Sequence, residues 1–224
     1  FGRAPWRTAD ITAIGVMDAM AQGRTDWLRP ALGGVPIDAA PLPHWLGALA
    51  IQWMPWLTPE VAARIPFVVL LGTTLALTWY TAFHLARTEA AQPVAFAFGG
   101  EADVVAYARA VADGALLALM ATLGLLLLGH ETTPELAQLT CAALALWGMA
   151  AAPFRQWRPR LALVLSRPLL AASGAPFIAV AIGAVTTLIA MRSHYESVRG
   201  AIPLIAAATL GAVAVGSVLG QWHW

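Results

Sequence analysis

The stretch LLALMATLGLLLLG, residues 116–129, decides the fold class, because it has no charged side chain and consists almost entirely of apolar helix formers. It ends an apolar run that begins near residue 103, and that run exceeds the roughly 20 helical residues needed to cross about 30 Å of hydrocarbon. The 224-residue chain has a matching composition, with 59% hydrophobic and 11% charged residues, whereas soluble domains carry about 25% charged residues. We therefore predict an all-α, polytopic integral membrane protein.

Five apolar regions are predicted to cross the bilayer, at residues 59–87, 103–129, 134–153, 161–190 and 201–220. Pro59 and Glu60 form a helix-start pattern for the first of them. The fourth region is too long for one span, and Pro168, Gly174 and Pro176 interrupt it. We expect two short helices that meet near Gly174 and form a hairpin through the bilayer.

Arginine in short loops predicts the orientation, since such loops are enriched in basic residues on the cytoplasmic side. With the hairpin, one side of the membrane gathers Arg87, Arg109, Arg155, Arg158, Arg160, Arg192 and Arg199. A single span in place of the hairpin would weaken this bias. Residues 1–58, the turn around His130 and residues 221–224 are then predicted to lie on the opposite, non-cytoplasmic side of the membrane.

Two parts are predicted: an outward-facing loop at residues 1–58 and a transmembrane helical module at residues 59–224. The chain opens at Phe1 without an initiator Met or a signal-like apolar core, so we expect a fragment of a longer protein.

The outward loop is predicted to hold two helices that lie at the membrane interface. The first covers residues 8–22, with Thr8 as its N-cap and apolar side chains at helical spacing. The second covers residues 43–53, where Trp45 and Trp53 favour the headgroup zone. The stretch between them follows a rigid, irregular path, because it contains Pro30, Gly33, Gly34, Pro36, Pro41 and Pro43. The two helices and the stretch between them would together cover a cavity at the outer leaflet.

Short motifs occur in a fixed order from Asp10 onward. The first is the acid Asp10. The next two are a Gly, Asp, Trp and Pro pattern, formed by Gly23, Asp26, Trp27 and Pro30, and a Pro, Leu and Trp pattern, formed by Pro41, Leu42 and Trp45. The last two are the run Arg64, Ile65 and Pro66, and a His five residues before an acid, formed by His130 and Glu135 in GHETTPEL.

In these motifs the chain resembles the C-type glycosyltransferases that use polyprenyl-phosphate sugars, particularly the aminoarabinose transferase and protein mannosyltransferase branch. The resemblance implies a membrane enzyme of that fold, which moves a sugar from the lipid carrier to a lipid, glycan or protein acceptor at the periplasmic face. The reaction needs a carboxylate near the acceptor and cations near the departing phosphate.

The resemblance assigns the catalytic carboxylates to Asp10, as base or acceptor-orienting group, and to Glu135 as its partner. The planar guanidinium group of arginine can bind two phosphate oxygens at once, so arginines are candidates for binding the phosphate of the sugar donor. The predicted phosphate and donor-binding residues are Arg7, Arg29, Asp38, His44 and His130, with Arg3 as a further candidate.

No cofactor is predicted, although a divalent cation stays open, and the single Cys141 excludes a cysteine-based metal site. The net charge of +1 argues against nucleic acid as a partner. An alternative function is a noncatalytic membrane subunit or lipid-binding module, since Ala39 stands where the family carries Lys and no Asp-Glu-Arg run follows residue 9.

Several residues also have structural interpretations. Asp10 and Glu135 each stand near a predicted helix start, where the helix dipole favours an anion. Glu131 is an alternative functional acid. Arg109 and Asp113, one helical turn apart, are predicted to pair and so lower the cost of inserting two charges.

Overall fold

A computed structural model describes residues 7–37, 40–94, 99, 102–122 and 131–222. The described residues are mainly α-helical, as predicted, and they also form a small antiparallel hairpin in which β1 (Ala31–Leu32) pairs with β2 (Val35–Pro36). The described helices are α1 (Thr8–Ala21), α2 (Pro41–Trp53), α3 (Pro59–Ala86), α4 (Val104–Met120), α5 (Pro134–Ala151), α6 (Trp157–Ala172), α7 (Pro176–Arg192), α8 (Glu196–Arg199) and α9 (Ile202–Val218).

Helix starts follow local signals in the sequence. Pro59, Pro134 and Pro176 each stand in the first turn of a helix, where the missing N–H costs nothing and the fixed φ suits the helix. Asp103 caps α4, because its carboxylate accepts hydrogen bonds from the backbone N–H of residues 105 and 106. Thr8, which was predicted to cap α1, is instead its first helical residue, and Arg7 precedes it without a side-chain cap.

The helices form a bundle with two ends. One end, which we call the Asp10 end, contains two hydrogen bonds between segments. Thr132 donates to Asp10, and Gln138 donates to the Ser173 carbonyl at 2.8 Å. The opposite end, the Phe154 end, contains one apolar cluster that includes Ala152, Ala190 and Val198. Arg87 lies 4.7 Å above the Phe154 ring there. The loops that carry Arg87, Arg155, Arg192 and Arg199 therefore lie at the Phe154 end.

The fourth apolar region turns back on itself, as predicted. Gly174 separates α6 from α7 and has a φ of 89°, a conformation that glycine adopts without strain. A Cβ at this position would lie 3.0 Å from the Cβ of Ala40, so space also favours glycine. Pro168 was predicted to interrupt the region, but it lies inside α6. The helix tolerates it, and the break falls at Gly174, just before Pro176 begins α7.

Small residues fill the interior of the bundle, and large aliphatic side chains point outward. Alanine supplies most buried apolar positions from α3 to α9, whereas Leu117, Leu188 and Leu210 are 66%, 53% and 70% exposed. By length and hydropathy, two described segments are able to cross a membrane, Pro59–Ala86 and Glu196–Val218. The apolar helix α7 is shorter.

The segment before α3 packs onto the bundle. Met17 and Met20 of α1 lie in a buried cluster with Phe67 of α3 and Leu136 of α5. Ile11, in the first turn of α1, is 51% exposed. Both helices predicted in this segment are present, and the apolar contacts of α1 with the bundle begin after its first turn.

The predicted pair of Arg109 and Asp113 is not formed. Trp79 of α3 donates its indole N–H to a carboxylate oxygen of Asp113 at 2.8 Å. In the part of the chain that the structure describes, no ion pair within 4.0 Å joins the two residues. The partner of Asp113 is thus the indole N–H of Trp79 on the neighbouring helix and not the guanidinium of Arg109 one turn away.

Candidate functional site

Asp10 lies in the first turn of α1 and is only 2% exposed. Its Oδ1 accepts two hydrogen bonds from Thr132, one from the backbone N–H at 3.0 Å and one from the hydroxyl at 2.8 Å. Its Oδ2 accepts a hydrogen bond from Arg64 at 3.0 Å. A carboxylate has about four acceptor positions, so these bonds leave about one position for a further donor.

Arg64 is the cation that neutralises Asp10. It stands in the second turn of α3, and its side chain is 12% exposed. A charge at this depth is costly without a partner, and the ion pair lowers that cost. The sequence carried this signal, because a lone arginine near the start of an apolar span needs an anion close by. It did not show which anion.

Thr132 brings the start of α5 to the same carboxylate. It is fully buried and stands two residues before Pro134, the first residue of α5. Asp10 thus lies close to the N-terminus of this helix, where the helix dipole favours a negative charge. The neighbouring Thr133 hydroxyl is buried and has no hydrogen-bond partner among the described residues. The sequence alone does not indicate Thr132, since its contact with Asp10 spans 122 positions.

Arg7 forms a second link between the same two segments. Its guanidinium lies 2.7 Å from a carboxylate oxygen of Glu131, and the two side chains are 43% and 13% exposed. An ion pair with this much solvent access adds at most about 1 kcal/mol. Arg7, predicted to bind donor phosphate, is therefore engaged with Glu131 in this structure.

Glu135 lies at the Asp10 end but in a different environment. It is exposed in the first turn of α5, three residues after Thr132, whereas Asp10 is buried. The structure thus brings the two predicted carboxylates to one end of the bundle, one beneath the surface and one on it. Glu131, the alternative acid, lies between them in burial and binds Arg7.

His44 is buried in α2, with 7% of its surface exposed. Its Nδ1 lies 2.7 Å from the carbonyl oxygen of Ala40, which makes Nδ1 the protonated nitrogen. Burial lowers the pKa of His44 below its usual value of 6.5, although the bond to Ala40 works in the opposite direction. At neutral pH the ring is uncharged and its Nε2 is a hydrogen-bond acceptor, so His44 in this arrangement offers a phosphate neither a charge nor a free N–H.

Arg29 is exposed in the stretch before β1. In the ranges that the structure covers, no carboxylate lies within 4.0 Å of its guanidinium. The stretch around it is well held, since Trp45 donates its indole N–H to the Trp27 carbonyl at 2.7 Å. Asp38 and His130, the remaining predicted donor-binding residues, lie outside the described residues, as does Arg3.

The described residues contain no group of three or more His, Cys, Asp or Glu side chains placed to hold a metal ion. Comparison of the chain with protein-family models, with curated proteins and with solved structures finds no match. The site therefore has to be interpreted from its own geometry. It is a buried, charge-compensated carboxylate at the end of a helical bundle, with an exposed acid at the same end and an exposed arginine, Arg29, in the stretch before β1.

Proposed function

We propose that this chain is a polytopic membrane protein that transfers a sugar from a polyprenyl-phosphate carrier to a lipid, glycan or protein acceptor, with its site on the periplasmic face of a bacterial inner membrane. The observation that carries the proposal is Asp10, a buried carboxylate held by Arg64 and Thr132 at one end of an apolar bundle. Charges placed so deep in an apolar protein more often serve function than packing.

The outer surface of the bundle supports a bilayer setting. Large aliphatic side chains face outward while alanine fills the interior, a pattern typical of helices that pack closely in lipid. Exposed aromatic side chains flank the bundle: Trp53 and Trp56, just before α3, are 73% and 75% exposed, and Trp157 at the Phe154 end is 63% exposed. Such rings favour the two interfaces of a membrane.

The proposed chemistry is a displacement at the anomeric carbon of the donor sugar. An acceptor hydroxyl donates a hydrogen bond to the remaining acceptor position of Asp10 and gives up its proton as it attacks. The new bond joins the acceptor oxygen to the anomeric carbon, the bond from that carbon to the phosphate oxygen breaks, and polyprenyl phosphate leaves with the electron pair. Asp10 takes this proton as the general base, and Arg64 is hydrogen-bonded to its other carboxylate oxygen.

The donor phosphate needs cationic partners at the same end of the bundle. Arg29, in the stretch before β1, is exposed and has no ion-pair partner among the described residues, and we assign this role to it. Its planar guanidinium can bind two phosphate oxygens and stabilise the charge on the leaving group. Glu135, exposed near the start of α5, is the second carboxylate proposed to contact the acceptor.

A noncatalytic subunit or lipid-binding module is the second candidate, and the burial of Asp10 favours it. With 2% exposure and three hydrogen bonds, the carboxylate ties α1 to α3 and to the segment before α5. A residue with only this role would stabilise the bundle whether or not a sugar is transferred.

Transfer from polyprenyl-phosphate hexose and pentose donors, measured in vesicles that contain the full-length protein, separates the two functions. For an enzyme, Asp10→Asn abolishes transfer while the variant still inserts and folds, since the amide keeps the shape of the carboxylate but takes no proton. Asp18→Asn is the matched control, because Asp18 lies on the same helix and pairs with Arg24 at 2.7 Å on the surface. Undiminished transfer by a folded Asp10→Asn variant would remove the catalytic role.

A further inference from the structure

A groove runs along the outer face of α7 near the Phe154 end, and the site described above does not use it. Its volume is about 390 Å³, and it is lined by Val185, Leu188, Ile189, Arg192 and Ser193. Val185 lies three and four positions before Leu188 and Ile189, and Arg192 lies four and three positions after them, so the four residues share one helix face. The three aliphatic side chains are each 53–54% exposed. The result is an apolar strip that ends in two polar groups.

The polar end of the groove offers hydrogen-bond donors to an anion. Arg192 is exposed in the last turn of α7, and in the described part of the chain no carboxylate lies within 4.0 Å of it, although Glu196 follows four residues later. The hydroxyl oxygen of Ser193 accepts a hydrogen bond from the backbone N–H of Tyr195 at 3.2 Å. The hydroxyl proton of Ser193 thus stays available for a further acceptor.

We propose that this groove binds one anionic phospholipid, with an acyl chain along Val185, Leu188 and Ile189 and the phosphate on Arg192 and Ser193. Charge complementarity selects an anionic headgroup, because the groove ends in a cation that has no carboxylate of the described residues within 4.0 Å. The strip from residue 185 to residue 192 is about 10 Å long at 1.5 Å per residue, about a third of a bilayer core. It therefore holds the part of the chain next to the headgroup.

The neighbourhood of the groove suits this depth. Tyr195 is 42% exposed three residues after Arg192, and Trp157 is exposed at the same end of the bundle. Aromatic rings of this kind favour the headgroup zone, and an arginine at a helix end extends its charge toward it. The inference rests on the bilayer setting of the proposed function but not on sugar transfer.

Native mass spectrometry of the purified full chain with phosphatidylglycerol or phosphatidylcholine tests the proposal. We expect phosphatidylglycerol to be retained in preference, and Arg192→Gln to reduce its retention about fivefold, the effect of one arginine at an anionic surface. Retention of phosphatidylcholine should not change. Arg160→Gln, which removes an exposed charge at the same end, should leave both lipids unaffected.

A second pair of variants tests the apolar wall. Leu188→Trp fills the groove and should lower phosphatidylglycerol retention, whereas Leu210→Trp, at another exposed leucine, should not. Equal losses in Arg192→Gln and Arg160→Gln would mean general surface attraction and overturn the proposal. Retention of glycerol phosphate, which has no acyl chain, at the level of the phospholipid would also overturn it.

The outcomes separate this inference from the proposed function. Loss of the lipid preference with intact sugar transfer overturns only the groove. A protein that fails to float with vesicles of either lipid overturns the bilayer setting and therefore both proposals. A folded Asp10→Asn variant that still transfers sugar leaves the groove standing.

Discussion

Arg64 donates a hydrogen bond of 3.0 Å to Asp10, and this contact joins residues that lie 54 positions apart in the chain. Both side chains are largely removed from solvent, so each compensates the charge of the other. Arg64→Met would leave the carboxylate buried without its cation, and we expect a loss of about 3–5 kcal/mol in the free energy of unfolding. Denaturant unfolding in detergent micelles measures it.

The double variant with Asp10→Asn and Arg64→Met is the control for that loss. It removes both charges, so it should be more stable than Arg64→Met alone, as expected of groups in one network. Equal stabilities of the two variants would show that the pair contributes nothing through its charges.

The adjacent residues Thr132 and Thr133 provide a matched comparison. Thr132→Val removes a hydroxyl that donates to Asp10 at 2.8 Å, and we expect a loss of about 1.5–3 kcal/mol, as for hydrogen bonds to charged groups. Thr133→Val removes a buried hydroxyl without a partner among the described residues and should be neutral or stabilising. Equal losses in the two variants would contradict the assigned role of Thr132. Both are measured by denaturant unfolding.

Arg29 is proposed to bind the donor phosphate. Polyprenyl phosphate should therefore raise the thermal unfolding temperature of the native chain, and Arg29→Gln should remove most of that rise without lowering the temperature of the ligand-free protein. Arg24→Gln is the control, since Arg24 is engaged with Asp18. A rise that is the same in all three proteins would exclude Arg29 from the phosphate site.

Gly183 allows α7 and α9 to approach closely. A Cβ at this position would lie 2.8 Å from Cγ2 and 3.1 Å from Cβ of Thr209, so Gly183→Ala should destabilise the bundle by about 1–3 kcal/mol. Gly114→Ala on α4 is the control, because a Cβ there meets open space and should stabilise the helix by about 0.5–1 kcal/mol. Adding Thr209→Ala to Gly183→Ala should recover stability, and a failure to recover would place the strain elsewhere.

The pH dependence of stability should reflect His44. Burial lowers its pKa in the folded chain below 6.5, so between the two pKa values the unfolded chain binds more protons than the folded one. Above pH 6.5, His44 does not reduce the free energy of unfolding. Below pH 6.5 the free energy of unfolding decreases as the pH falls, by at most about 1.4 kcal/mol per pH unit from this residue. In His44→Gln this part of the pH dependence should disappear; an unchanged pH profile would assign it to other groups.

Local sequence signals predicted the helices well. Pro59 and Pro134 mark starts that the structure has at the same residues, and Gly174 marks the turn between α6 and α7. The predicted interruption at Pro168 was wrong, because a proline inside a packed helix can be tolerated where neighbouring helices support it. The β1–β2 hairpin was not predicted, since its strands have only two residues each and lack an alternating pattern.

The site itself was harder to predict than the helices. Asp10 was selected from a motif, but its burial depends on Arg64 and Thr132, which only the tertiary structure brings to it. Asp113 was assigned to Arg109 by helical spacing, and Trp79 on another helix binds it instead. Spacing along one helix says which residues can meet, whereas contacts between helices decide which of them do.

The turn at Gly174 also determines at which end of the bundle α9 finishes. Because the chain reverses there, the fourth apolar region begins and ends at the Phe154 end, and α9 then runs back to the Asp10 end. Gln221, just after α9, accordingly comes within 3.5 Å of the Cβ position at Gly174. One uninterrupted helix in place of the turn would send α9 the other way and leave Gln221 on the opposite face from Asp10.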